Sequence, residues 1–108
     1  MRIDKVHIES FKNLRDFTVD LDEKQVTNIF IGKNGAGKSN FIEALVIIFR
    51  DLDLKTVTNE FSYDMDYYCN GYSIHVESNS KTKKQVFFVN GKKITKKAFY
   101  EKWHQDNS

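Results

Sequence analysis

Residues 32–39 constrain the fold of this chain more than any other segment, and they read Gly-Lys-Asn-Gly-Ala-Gly-Lys-Ser. They match the phosphate-loop pattern G-x-x-x-x-G-K-[ST] at every fixed position, and such a loop needs a strand before it and a helix after it. Residues 26–31 form a short apolar, β-branched run that ends at Gly32, which is typical of a central parallel strand. A helix is predicted from Lys38 onward, because apolar residues fall on two neighbouring stripes, Phe41, Leu45 and Ile48 on one and Ile42, Val46 and Phe49 on the other.

The residue types of this loop suit the binding of a nucleotide triphosphate. Its glycines permit backbone angles that let N–H groups point inward and form an anion site at a helix N-terminus. Lys38 is expected to reach the β- and γ-phosphates of ATP, and the Ser39 hydroxyl to bind Mg²⁺. The alternative is a glycine-rich turn that caps an ordinary helix, and the complete motif with both flanks argues against it. The predicted ATP-contacting residues are Gly32, Lys33, Asn34, Gly35, Ala36, Gly37, Lys38, Ser39 and Asn40.

The composition is that of one globular domain or a part of one. The 108 residues are 40% apolar and 14% aromatic, which is enough to bury a core. No run approaches the roughly 20 apolar residues that cross a bilayer, and residues 1–7 have no signal-peptide apolar region. The single cysteine, Cys69, agrees with a reducing compartment and is interpreted as a plain strand-end residue rather than a reactive thiol. We therefore expect a cytoplasmic protein with no membrane partner.

The charge is distributed unevenly along the chain. Residues 1–78 hold nine Lys or Arg against thirteen Asp or Glu, whereas residues 79–108 hold eight Lys against two acidic residues. The basic part is a candidate surface for nucleic acid. The alternative, which we favour at this point, is a solvated hairpin and helix whose lysines maintain solubility, because arginine, the better base reader, is absent there.

Strands are predicted on both sides of the phosphate loop. Residues 3–11 and 17–21 read as two strands with a break around residues 12–15. Further along, alternating runs and two Asn-Gly turns predict an antiparallel meander over residues 61–67, 72–76 and 86–88. Thr95 is the expected cap of a short helix that carries Ala98, Phe99 and Trp103. The predicted fold is α/β, the first lobe of a P-loop NTPase, with a mixed sheet around the phosphate-loop helix, the meander and this short C-terminal helix.

Two segments, KVHIESFKNLRDFTVDL and NIFIGKNGAGKSNFIEAL, resemble the N-terminus of ABC-type ATPases of the SMC, RecF and OLD families. Those proteins begin with a strand, an F-[KR]-N-[LF] turn, a second strand and the loop G-x-N-G-[AS]-G-K-[ST]-N. The resemblance implies that Lys12, Asn13 and Arg15 of the early turn lie beside the ribose and base of the nucleotide, and the alternative is a polar turn between strands. Asn34 and Asn40 separate this loop from kinase- or GTPase-type loops, so a kinase has little support.

Hydrolysis of ATP needs groups that residues 32–40 do not supply, among them a carboxylate near Mg²⁺ and a group that orients the attacking water. P-loop ATPases place that carboxylate after an apolar strand, but the apolar run that ends at Asp51 continues the predicted helix, and the sequence has no L-S-x-G segment. We therefore expect residues 1–108 to be a single partial domain whose second lobe lies beyond Ser108, with a stand-alone remnant as the alternative. Alone, this chain is expected to bind nucleotide weakly and to hydrolyse little or none.

The leading hypothesis is an ATP-binding lobe of an SMC/RecF/OLD-like ATPase. The resemblance implies an ATP site that closes across a homodimer of full ATPase heads. It also implies work in DNA repair, chromosome maintenance or phage defence, with DNA, an effector or a nuclease as partner. The competing hypothesis is a nucleic-acid-binding module with a lysine-rich tail that nucleotide regulates. His7, His75 and His104 lack ligand spacing, so the predicted metal is the nucleotide's Mg²⁺ on Ser39.

Overall fold

The computed structural model describes residues 1–21 and 35–104, with residues 35–37 described by their backbone only. The described strands are β1 (Arg2–Phe11), β2 (Leu14–Asp20), β3 (Tyr63–Cys69), β4 (Tyr72–Ser78), β5 (Gln85–Val89) and β6 (Lys92–Ile94). The described helices are α1 (Gly35–Asp53) and the short α2 (Lys96–Ala98), which continues into a π-helical turn, Phe99–Trp103. The strands form one sheet of order β2-β1-β3-β4-β5-β6, and each neighbouring pair is antiparallel.

β1 and β2 form a hairpin around the two-residue turn Lys12-Asn13. Lys12 has a φ of 54°, which is the left-handed conformation that such a tight turn needs. The break is shorter than the predicted span of 12–15, because Leu14 and Arg15 already pair with β1. A register shift between Ile3 and Lys5 on the β3 side of β1 interrupts the regular pairing of that strand.

Helix α1 contributes one side of the hydrophobic core. The first predicted stripe is buried at Phe41 and Ile48, which are both 0% exposed, and half-buried at Leu45. The second predicted stripe is divided, because Ile42 and Val46 are 43% and 60% exposed while Phe49 is half-buried. The strand residues that complete the core alternate along the sheet and include Val6, Ile8, Val19, Met65, Ile74, Val76 and Phe87.

The predicted meander is confirmed as strands β3, β4 and β5. Its two Asn-Gly turns have both residues at positive φ, 52° and 88° at Asn70-Gly71 and 51° and 81° at Asn90-Gly91. This is the geometry of type I′ hairpins, for which Asn-Gly is the preferred sequence. The second turn leads into β6, a three-residue strand that the sequence pattern did not predict, and Cys69 ends β3 as interpreted.

The C-terminal helical segment also follows the prediction at its start. The Thr95 hydroxyl accepts a hydrogen bond from the backbone N–H of Ala98 at 3.1 Å, which caps α2. Phe99 is fully buried and stacks on Phe87 with ring centroids 4.2 Å apart, so the segment is fixed against β5. The parallel strand predicted at 26–31 lies outside the described residues, so the mixed character of the sheet stays a prediction. Among the helices of the described ranges, none has the length and apolarity needed to span a membrane.

Candidate nucleotide site

The structure describes part of the predicted phosphate-binding segment. Gly32, Lys33 and Asn34 lie outside the described residues, whereas Gly35, Ala36 and Gly37 open helix α1. Lys38 and Ser39 follow in the first turns of that helix with exposed side chains, and Asn40 is half-buried. The described helix therefore begins at Gly35, three residues before the predicted start at Lys38.

The start of α1 suits an anionic ligand. The helix is 19 residues long and has no acidic side chain in its first turn, so no carboxylate there opposes a bound anion. The first N–H groups of a helix have no intrahelical acceptor, and the helix dipole adds partial positive charge at that end. The exposed ammonium group of Lys38 lies in the same region of the helix. These donors fit the phosphates of a nucleotide. Among the described residues of the motif, Ser39 has the hydroxyl oxygen that suits Mg²⁺.

The early turn lies directly against this end of α1. The side-chain amide of Asn40 donates a hydrogen bond to Asn13 Oδ1 at 2.6 Å, although the two residues are 27 positions apart. Asn13 is the second residue of the β1–β2 turn, and Asn40 is the residue that follows the phosphate-loop motif. Two regions that the resemblance assigns to the nucleotide are therefore neighbours in the fold.

A second contact joins the same two elements. Lys12 Nζ lies 2.7 Å from Glu43 Oε2, with the two side chains 51% and 47% exposed. The same ammonium is 5.5 Å from the centre of the Phe11 ring. Sequence reasoning missed Glu43, and the available signal was its spacing, because residues three apart share a helix face and Asn40 and Glu43 therefore point the same way.

Arg15 is placed differently from the other two residues of the predicted turn set. It is exposed on β2 opposite Ser10, and its guanidinium lies 3.5 Å from Ser10 Oγ. Within the described residues, no hydrogen bond or ion pair joins Arg15 to α1. The structure thus brings Lys12 and Asn13 to the helix and leaves Arg15 on the sheet.

Other titratable groups lie on the sheet and in the C-terminal helical segment. His75 Nδ1 is 2.6 Å from Asp66 Oδ1, and its Nε2 is 3.0 Å from Glu77 Oε2. Partial burial lowers the pKa of His75, but hydrogen bonds and charges from the two carboxylates outweigh it and raise the pKa above its ordinary value. Burial raises the pKa of the Tyr100 hydroxyl to about 12. Within the described ranges, no three His, Cys, Asp or Glu side chains are grouped to hold a metal ion.

Comparison with known proteins gives the family of this chain. The model of the AAA ATPase domain family matches residues 1–106. Similar curated proteins are called DNA replication and repair protein RecF. The one from Treponema pallidum is 31% identical over 90 residues, which are 82% of this chain and 25% of that protein. The one from Lactobacillus acidophilus is 30% identical over 82 residues, 76% of this chain and 21% of that protein.

A shorter match has a higher identity. RecF of Halothermothrix orenii is 40% identical over 48 residues, 44% of this chain and 12% of that protein. No solved structure matches the chain significantly. The chain spans only 12% to 25% of the length of these three relatives. Because the family model matches residues 1–106, the chain belongs to the AAA ATPase domain family, and it corresponds to the N-terminal region of an SMC/RecF-type ATPase.

Proposed function

We propose that this chain is the ATP- and Mg²⁺-binding lobe of a RecF/SMC-type ATPase. The observation that carries the proposal is the 2.6 Å hydrogen bond between Asn40 and Asn13. It holds the early turn beside the helix that begins in the phosphate-loop motif, so one nucleotide can contact both. DNA repair is the favoured biological role, because the similar curated proteins are called DNA replication and repair proteins. Chromosome maintenance and phage defence are the other roles that the sequence resemblance implies.

The proposed division of roles follows the chemistry of the side chains. Residues 32–37 and the first N–H groups of α1 hold the phosphates, and Lys38 neutralises charge on the β- and γ-phosphates. Ser39 supplies a hydroxyl ligand to Mg²⁺. Lys12 and Asn13 border the ribose and base. Glu43 holds Lys12 in this position, and Asn40 holds Asn13. The role of Arg15 beside the nucleotide stays a prediction, because its described side-chain contact is with Ser10 on the sheet.

A second lobe is part of the proposal and is supported by the surface of α1. Ile42 and Val46 are 43% and 60% exposed on the helix that carries the phosphate-loop residues. Burying an apolar side chain of this size contributes roughly 1.5–3 kcal/mol, so an apolar helix face gains from a covering layer. Further chain is therefore proposed to pack on this face and to bring the carboxylate and the water-orienting group that hydrolysis needs. Closure of the ATP site across a homodimer of such heads belongs to the same proposal.

The test is the affinity of the 108-residue chain for Mg²⁺-ATP, measured by titration calorimetry. Lys38→Ala should weaken binding by roughly tenfold to a hundredfold, which corresponds to the loss of a charged hydrogen bond worth about 1.5–3 kcal/mol. Ser39→Ala should reduce the gain in ATP affinity that Mg²⁺ gives. When a chelator removes Mg²⁺, the same variant should change the affinity for ATP less.

Lys81→Ala is the matched control, because Lys81 is an exposed lysine in the β4–β5 loop. It should bind ATP as the wild type does. Equal affinities of wild type, Lys38→Ala and Lys81→Ala, with unchanged circular dichroism, would contradict the assignment of the phosphate site. A wild-type chain that binds no ATP at all would contradict it as well.

A further inference from the structure

The C-terminal part of the described chain contains a groove that is not part of the nucleotide site. The groove is open, has a volume of about 620 Å³, and lies between β6 and the C-terminal helical segment. We call it the basic groove and define it by six of its lining residues, which are Val86, Lys93, Ile94, Lys96, Lys102 and Trp103. Its outer wall is held in place by the Phe87–Phe99 stack and by the Thr95 cap.

The basic groove presents three lysine side chains to solvent. Lys93, Lys96 and Lys102 are exposed, and within the described ranges no carboxylate oxygen lies within ion-pair distance of their ammonium groups. The neighbouring Lys97 differs, because its Nζ lies 4.0 Å from Glu101 Oε1. Three cations around one groove favour an anionic ligand with several charges in a row.

Three further side chains of the basic groove are apolar and only half-buried, and they lie beside the polar Gln85 and Thr95, which also line it. Val86, Ile94 and Trp103 all keep part of their surface exposed to it. Trp103 is held by an edge contact with Tyr72 at 5.9 Å and by the Lys102 ammonium, 5.8 Å from its ring centre. A ligand that only supplied charge would leave this apolar lining in water. The lining instead favours a ligand that alternates charged groups with flat apolar ones.

From this combination we propose that the basic groove binds single-stranded nucleic acid. Phosphates would lie against Lys93, Lys96 and Lys102, and an unstacked base would pack on Trp103, which is the pattern of sequence-tolerant single-strand sites. A duplex keeps its bases stacked inside and has none to offer to the lining. An acidic peptide supplies charge without flat bases. The proposal goes beyond the ATP site and does not depend on it.

The experiment is fluorescence anisotropy of a fluorescein-labelled oligo(dT) with the full 108-residue chain, without ATP, at several salt concentrations. The triple variant Lys93→Gln, Lys96→Gln, Lys102→Gln should lose at least about tenfold in affinity at low salt. The slope of log affinity against log salt should fall by about 2, since each single-strand phosphate contact contributes about 0.7.

The matched control is the triple variant Lys5→Gln, Lys81→Gln, Lys84→Gln, which changes the net charge equally at exposed lysines that do not line the basic groove. It should lose less than about threefold, by general electrostatics alone. Equal losses in the two triple variants would overturn the proposal. So would binding of an equally long duplex, or competition by poly-glutamate, as strong as that of the single strand.

Trp103 gives a second and independent readout, because it is the only tryptophan of the chain. Oligo(dT) should quench its fluorescence at saturation, while an unchanged spectrum would overturn the stacking part of the proposal. Trp103→Leu should weaken binding by roughly fivefold to a hundredfold, as expected for one lost base–aromatic stack. Lys38→Ala should bind oligo(dT) as the wild type does, so failure of the ATP site and failure of the basic groove remain separate results.

Discussion

Asn40 and Asn13 are joined side chain to side chain by a 2.6 Å hydrogen bond between the start of helix α1 and the turn of the β1–β2 hairpin. The bond links the element that carries the phosphate-loop motif to a part of the sheet that precedes it in sequence. The Lys12–Glu43 ion pair lies beside it at 2.7 Å. Helix and hairpin are thus fixed relative to each other by polar contacts as well as by the core beneath them.

We predict that Asn13 and Asn40 are energetically coupled. Asn13→Ala and Asn40→Ala should each lower the free energy of unfolding, and the double variant should lose less than the sum of the two. The coupling should be about 0.5–1.5 kcal/mol, the net worth of one hydrogen bond, measured by urea unfolding in a double-mutant cycle. As the control, Asn13→Ala combined with Thr82→Ala should be additive within about 0.5 kcal/mol. Additivity of Asn13→Ala and Asn40→Ala would mean that the bond does not persist in solution.

Truncation should destabilise the protein strongly at Ile48 of α1 and hardly at all at Val46 of the same helix. Ile48 is 0% exposed in the core, so Ile48→Ala should lower the free energy of unfolding by about 2–5 kcal/mol. Val46 is 60% exposed, so Val46→Ala should change it by less than about 0.5 kcal/mol. Thermal or urea unfolding of both variants measures the difference. A large loss in Val46→Ala would show that another part of the chain covers that face.

His75 should make stability depend on pH. Its pKa is raised in the folded state, because the carboxylates of Asp66 and Glu77 outweigh the effect of partial burial. A raised folded pKa stabilises the protein fully below the unfolded pKa, and the stabilisation is lost as pH rises through the folded pKa. The free energy of unfolding should therefore fall as pH rises above about 6.5, by less than about 1 kcal/mol because the side chains are partly exposed.

The comparison that isolates this effect is His75→Gln, followed by urea unfolding across the same pH range. The difference in the free energy of unfolding between the wild type and His75→Gln should shrink as pH rises. A difference that stays constant with pH would show that His75 does not bind the extra proton in the folded state.

Thr95 should control the order of the C-terminal helical segment. Thr95→Ala removes the hydroxyl that accepts from the Ala98 N–H, and such a loss typically costs about 1 kcal/mol. Trp103 lies in the same segment, so its fluorescence emission should shift to the red as the segment loosens. Thr95→Ser keeps the hydroxyl and should behave as the wild type does. An unshifted spectrum in Thr95→Ala would mean that the Phe87–Phe99 stack alone holds the segment.

The parts of this fold that the sequence predicted are those set by local chemistry. Asn70-Gly71 and Asn90-Gly91 form I′ turns because both residues of each pair tolerate positive φ. Thr95 caps its helix for an equally local reason. The helical period of residues 41–52 also sufficed to show that the apolar run before Asp51 is helix and not strand.

The parts that the sequence did not predict depend on distant residues. Periodicity located Ile42 and Val46 on a helix stripe but could not say whether another layer covers them. The Lys12–Glu43 pair joins residues far apart in the chain, and β6 is a three-residue strand with two lysines that carries little strand signal. Lys12 and Asn13 of the turn contact helix α1, whereas Arg15 lies on β2. The sequence motif gives the residue types at these positions but not the direction in which each side chain points.

Strand β1 pairs with β2 on one side and with β3 on the other. During translation the β1–β2 hairpin is therefore complete early, while the second edge of β1 must wait until residues 63–69 have left the ribosome. Until then the nascent chain presents a row of unpaired backbone groups, a state open to pairing with another chain. Deletion of β1 would remove an interior strand of the sheet and separate β2 from β3. Deletion of β6 would remove only the last strand in the described order.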